Sequence, residues 1–152
     1  MDPLCWLLYV SVIFCDPAAQ QYAEAAATVP PEHWRLVKWV GLQYAPHGSA
    51  SPDGLVFLPS QRKDSALRHE VGHMVAYAKD EELGDLFELI FWQDDQPRWR
   101  TATSYARKSP AEDFAESYRT FIEGRLQECC PERARWMRNV VPGLVEYEGR
   151  AR

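Results

Sequence analysis

Residues 64–79, Asp64-Ser65-Ala66-Leu67-Arg68-His69-Glu70-Val71-Gly72-His73-Met74-Val75-Ala76-Tyr77-Ala78-Lys79, decide how the rest of the chain is read. Leu67, Val71, Met74, Val75 and Ala78 recur at the spacing of one buried helical face, and Asp64 or Ser65 can serve as its N-cap. A helix turns by about 100° per residue, so His69 and His73 lie only about 40° apart, with Glu70 beside them. Two imidazoles so placed suit a zinc ion, and the adjacent carboxylate suits a general base acting on the water that the metal acidifies. Random placement of the 4 histidines among the other residues would produce this H-E-x-x-H spacing with a probability of roughly 0.01. Gly72 costs helix propensity, about 1 kcal/mol against Ala, which predicts a backbone or cleft packed closely against it.

A catalytic zinc takes a third protein ligand and keeps its fourth position open. A metzincin would continue to a glycine at position 76 and a histidine at 79; the chain has Ala76 and Lys79. His33, just after Pro30-Pro31, and His47, in Ala45-Pro46-His47-Gly48, read as solvated loop histidines. The better candidates lie downstream, in Ser109-Pro110-Ala111-Glu112-Asp113-Phe114-Ala115-Glu116-Ser117-Tyr118-Arg119-Thr120-Phe121-Ile122-Glu123. Ser109 fits an N-cap, Pro110 the first helical position, and Phe114, Tyr118, Phe121 and Ile122 an apolar face. Glu112 and Glu116 repel each other at i,i+4, which an adjacent cation would offset. One can ligate the metal while the other accepts the second N–H of a ligand histidine. Ser109 and Glu112 also form an S-x-x-E capping box, which needs no metal.

With these residues in place, the chain resembles the gluzincin-type catalytic domains of anthrax lethal factor and the clostridial Pro-Pro endopeptidases, over roughly residues 54 to 122. Those domains follow an H-E-x-x-H helix with a second helix whose E-x-F-A-E-type segment is matched by Glu112-Asp113-Phe114-Ala115-Glu116, and Tyr105 stands seven residues before Glu112, as a tyrosine does there. The resemblance implies one zinc ion held by His69, His73 and Glu112, Glu70 as general base, Glu116 behind a ligand histidine and Tyr105 stabilising the oxyanion. A phenol beside the metal can donate a hydrogen bond to the charge developing on a scissile carbonyl. It also implies an edge strand before the first helix, Gly54 to Leu58, that binds substrate backbone as an added strand. In size the chain resembles the minimal gluzincins, and nothing in these 152 residues resembles the docking regions of the longer members.

The expected fold is therefore α+β: a zincin-like metallopeptidase domain with a small mixed or antiparallel sheet, an H-E-x-x-H helix over 64–79 and a glutamate helix over 109–127. With 152 residues and 46% hydrophobic content, one domain is expected. Along the chain, 20–27 reads as helix, while 35–44 and 55–58 read as strands of a β-hairpin closed by a loop at 45–53. Residues 81–92 read as helix. The polar connector 93–104 is expected to wall the cleft, with Trp92 or Trp99 contributing specificity. A basic helix over 131–139 would turn Arg133, Arg135 and Arg138 to solvent.

The net charge of −5 argues against a nucleic-acid partner, despite the basic stretch of Arg98, Arg100, Arg107 and Lys108 around Trp99. A peptide or protein substrate and a monomeric state are expected. The apolar run from Leu4 to Cys15 is too short to span a bilayer and reads as a buried strand or helix, with an export signal as the alternative. Few cysteines favour the cytoplasm over secretion, and the adjacent Cys129-Cys130 are poorly placed to pair with each other. Two other readings stand beside the gluzincin. One is an ImmA/IrrE-like protease of a single repressor, whose E-x-x-A-N-like segment is absent here. The other is a non-catalytic zinc- or peptide-binding domain, for which Glu70 would have no purpose.

Overall fold

The computed structural model of the chain describes residues 17–59, 64–78 and 82–144. The apolar run 4–15 and the expected helical residue Lys79 lie outside the described residues. The fold is mixed α and β. Helix α1 (Pro17–Ala27) and the short α2 (Pro31–Trp34) precede strands β1 (Trp39–Gln43), β2 (Ser49–Ala50) and β3 (Leu55–Pro59). Helices α3 (Asp64–Ala76) and α4 (Glu82–Phe91) follow, then strands β4 (Trp92–Gln93) and β5 (Gln96–Pro97) and a 3-10 turn (Tyr105–Lys108). Helices α5 (Pro110–Ile122), α6 (Leu126–Cys129) and α7 (Pro131–Val140) complete the order. Among the described residues no helix is long and apolar enough to cross a membrane.

The sheet corrects the expected hairpin. β1 and β3 pair in parallel, Trp39 opposite Leu55, and β2 pairs antiparallel to β3, giving the order β1-β3-β2. The Pro52-Asp53-Gly54 turn closes a β2–β3 hairpin, with Ser51 N–H donating to Leu55 O at 2.9 Å and Gly54 N–H to Ser51 O at 3.0 Å. Two residues with no apolar run gave β2 no period to read. β3 is consequently the central strand, and β1 and β2 are the edges, β2 being the one beside the helix that carries His69 and His73. Val56 and Leu58 point into the core, while Trp39 and Phe57 stack edge-to-face on the other side at 5.4 Å.

Helix α5 runs through the centre, with nine residues from Asp113 to Ile122 buried. Against it lies α3, at backbone distance: a Cβ on Gly72 would stand 2.9 Å from Ala115 Cα and 3.2 Å from Tyr118 Cβ. The propensity lost at Gly72 is thus exchanged for close helix–helix approach, and that approach brings the faces of His69/His73 and Glu112/Glu116 together. Ser109 caps α5 as expected, its Oγ accepting from Glu112 N–H at 3.2 Å.

The helix expected over 109–127 ends at Ile122, because Gly124 adopts φ +73°. Gly124 N–H donates to Phe121 O at 2.9 Å and Arg125 N–H to Thr120 O at 3.0 Å, the paired bonds of a Schellman stop. A hairpin turn through Asp94 and Asp95, both with positive φ, joins β4 to β5 inside the stretch expected as plain connector.

Two polar residues expected in solvent are core residues. Arg133, on α7, is buried: Nη2 donates to Asp113 Oδ2 at 2.6 Å, Nε to Oδ1 at 3.1 Å and Nη1 to Arg100 O at 2.7 Å. Trp92 Nε1 also donates to Asp113 Oδ2, at 2.9 Å, and the guanidinium lies 4.8 Å from the Phe91 ring centre. Arg135 is exposed as expected and Arg138 is half-buried. His33 sits in α2, not in a loop, with Nδ1 2.8 Å from Tyr118 Oη and Nε2 2.7 Å from Pro142 O. A carbonyl can only accept, so Nε2 carries the proton and Nδ1 accepts from the phenol. The neutral imidazole is fully satisfied, and burial lowers its pKa.

Candidate metal centre

His69 and His73 leave the same side of α3, and Glu112 leaves the first turn of α5 to meet them. Nε2 of His69 lies 3.1 Å from Nε2 of His73 and 3.1 Å from Glu112 Oε2, and His73 Nε2 lies 3.6 Å from the same oxygen. Among the described residues these three form the group able to hold a metal ion. Four-coordinate zinc with nitrogen and oxygen ligands at about 2.0–2.2 Å places neighbouring ligand atoms roughly 3.3–3.5 Å apart. The observed sides of 3.1, 3.1 and 3.6 Å lie just outside that range, close enough for small side-chain adjustments to meet it.

Hydrogen bonding also calls for positive charge at this point. His69 Nδ1 faces Glu116 Oε1 at 2.9 Å, an acceptor, so a neutral His69 carries its proton there. Its Nε2 lone pair then points at a carboxylate, and buried Glu112 Oε2 has no hydrogen bond of its own. A proton or a metal ion resolves that conflict. Burial opposes a charged His69, but the neighbouring carboxylates of Glu112 and Glu116 outweigh burial and raise the imidazole to about 9. Glu112 is held well below the ordinary carboxylate range by His69 and His73.

Glu116 is built as a support. Its Oε1 accepts from His69 Nδ1 and from Arg119 Nε at 3.1 Å, and its Oε2 from Thr103 Oγ1 at 2.6 Å and Arg119 Nη2 at 2.9 Å. Burial works against its charge, but these donors prevail and hold it at about 2. Thr103 Oγ1 in turn accepts from Ala106 N–H at 3.2 Å, which ties the support to the 3-10 turn carrying Tyr105. His73 is held differently: its ring stacks on Tyr77 at 6.0 Å, and its Nδ1 lacks a hydrogen-bond partner among the described residues.

The cluster opens into a cleft of about 640 Å³ lined by Pro46–Ala50 on one side and by Tyr77, Tyr105, Ser109 and Ala111 elsewhere. Glu70 and Tyr105 both line it, as does Glu116. Glu70 is buried, which raises its pKa despite the neighbouring histidines. Tyr105 packs edge-to-face on His69 at 5.8 Å and stacks with His47 at 6.4 Å. Burial first, then the charges of Glu112, Glu70 and Glu116, push its phenol pKa upward, so it stays a donor.

All six residues expected from the sequence therefore meet here. The connector 93–104 does not wall the cleft. Trp92 is buried on Asp113, and Trp99 packs on Phe91 at 5.6 Å. The wall is the loop before β2, containing His47. Arg119 was detectable as an i,i+3 partner of Glu116, whereas Thr103 and Gly48 carry no local signal. No protein family, curated protein or solved structure matches the chain.

Proposed function

We propose that this chain is a zinc-dependent endopeptidase with a zincin-like domain of the gluzincin type. The observation that carries the reading is the triangle of His69 Nε2, His73 Nε2 and Glu112 Oε2, with sides of 3.1, 3.1 and 3.6 Å, open to a cleft that Glu70 also lines. A zinc ion held by these three residues would act as a Lewis acid, polarising a water molecule and a substrate carbonyl.

Glu70 takes the proton from the attacking water and delivers it to the leaving amine. Its raised pKa brings it closer to the working pH of a group that must both accept and release a proton. The Tyr105 phenol, kept protonated, donates to the oxygen that gains charge. Glu116 fixes the ring of His69, and Arg119 and Thr103 fix Glu116. The substrate's main chain lies along the free edge of β2 at Ser49–Ala50, by addition of a strand to the sheet.

The test compares wild type with Glu70→Ala on a diverse peptide library, with zinc content measured on both. Equal zinc in the two, with cleavage reduced by about 100-fold or more in the variant, supports the reading. Equal cleavage by both overturns it.

A further inference from the structure

We infer that Gly48 is a positioning residue for the general base, an inference that rests on the peptidase reading above. The loop Pro46-His47-Gly48 lines the cleft and runs directly into β2. At Gly48 it passes so close to Glu70 that an added Cβ would stand 2.5 Å from Oε1 and 3.0 Å from both Cγ and Cδ. The carboxylate thus occupies the volume that any other residue at position 48 would fill. One wall of its socket is helix α3 and the other is the Gly48 backbone.

The two sides of this contact differ in stiffness. Gly48 directly precedes a strand registered on β3, Ser49 opposite Phe57, so its backbone is anchored on its C-terminal side. The Glu70 carboxylate is the free end of a flexible side chain. A methyl group at position 48 is therefore accommodated by rotation of Glu70 rather than by movement of the strand. Rotation leaves the fold intact and costs only the alignment of the base with the attacking water. Misplacement of a reacting group by about 1 Å can cost 100-fold in rate. The three atoms nearest that methyl group all belong to Glu70 and none to His69, His73 or Glu112, so metal binding is expected to be spared.

Gly48→Ala tests this with four readouts against wild type: kcat and KM on a cleaved peptide, zinc content, melting temperature, and a crystal structure of the zinc-loaded variant. The expected result is a fall in kcat of about tenfold or more with KM, zinc content and melting temperature unchanged, and a Glu70 carboxylate displaced in the crystal. An unchanged kcat, a loss of zinc or melting temperature in step with activity, or an undisplaced carboxylate overturns the inference. Absence of zinc-dependent cleavage by wild type would refute the peptidase reading instead, and the crystal structure would still decide whether Gly48 sets the position of Glu70.

Discussion

Helix α5 carries buried carboxylates on two of its sides, and the protein treats them in opposite ways. Asp113, fully buried with its side chain 0% exposed, meets Arg133, Trp92 and Ser117, so both oxygens are answered by donors. Glu112, one residue earlier and 25% exposed, faces two imidazole nitrogens, and its Oε2 makes no hydrogen bond. A carboxylate whose lone pairs are all met by protein donors has a structural purpose and nothing left to offer. One aimed at other lone pairs, at the floor of a cleft, is arranged for a cation. The two are neighbours on one helix, and they differ in exposure and above all in partners.

The comparison breaks most severely at Arg133. Replacing it by Met leaves Asp113 buried without its counter-ion, and removing one partner of a buried pair costs about 3–5 kcal/mol. Urea denaturation of Arg133→Met is expected to show a loss of that size, with no change in the zinc stoichiometry of the folded fraction. A smaller effect, confined to the metal side, is expected from Glu116→Gln. The amide cannot accept as the carboxylate does from His69, Thr103 and Arg119 together, and loss of such support typically weakens metal affinity or activity by about 10–100-fold. Competition with a zinc chelator measures it, and stability without metal should move far less than in Arg133→Met.

The smallest effect sharpens what complete satisfaction means. His33 is buried as a neutral ring, with its pKa below the ordinary 6.5 because of that burial. The unfolded chain therefore binds a proton that the folded chain resists as pH falls below about 6.5. The stability contributed by His33 is present above that pH and is lost on acidification, at no more than about 1.4 kcal/mol per pH unit. Denaturation midpoints at pH 7.5 and 5.5 are expected to diverge more in wild type than in His33→Asn, which has no proton to gain.

How far local pattern reaches is visible in the same residues. His69, Glu70 and His73 share one helical turn, and Glu112 and Glu116 another, so period and charge exposed them; the resemblance then joined the two helices. Gly72 announced the close approach that makes the joining possible. Arg133 and Asp113 are 20 positions apart, and His33 and Tyr118 are 85 apart. No periodicity connects such pairs, and in isolation Arg133 and His33 read as solvent-facing residues. β2 escaped for the opposite reason: two residues, one polar and one small, owe their strand geometry entirely to pairing with β3. With no sequence signal for β2, the expected edge strand falls on β3, which is central in the sheet, and nothing local marks the loop at Gly48 as a wall of the cleft.

The central claim is that Glu112, with His69 and His73, holds a metal ion. Zinc content determined after dialysis of wild type and Glu112→Ala against the same buffered zinc tests it most directly. One zinc per wild-type chain and little or none in the variant is the predicted result. A wild type without zinc, or a variant that retains it equally, would contradict the claim.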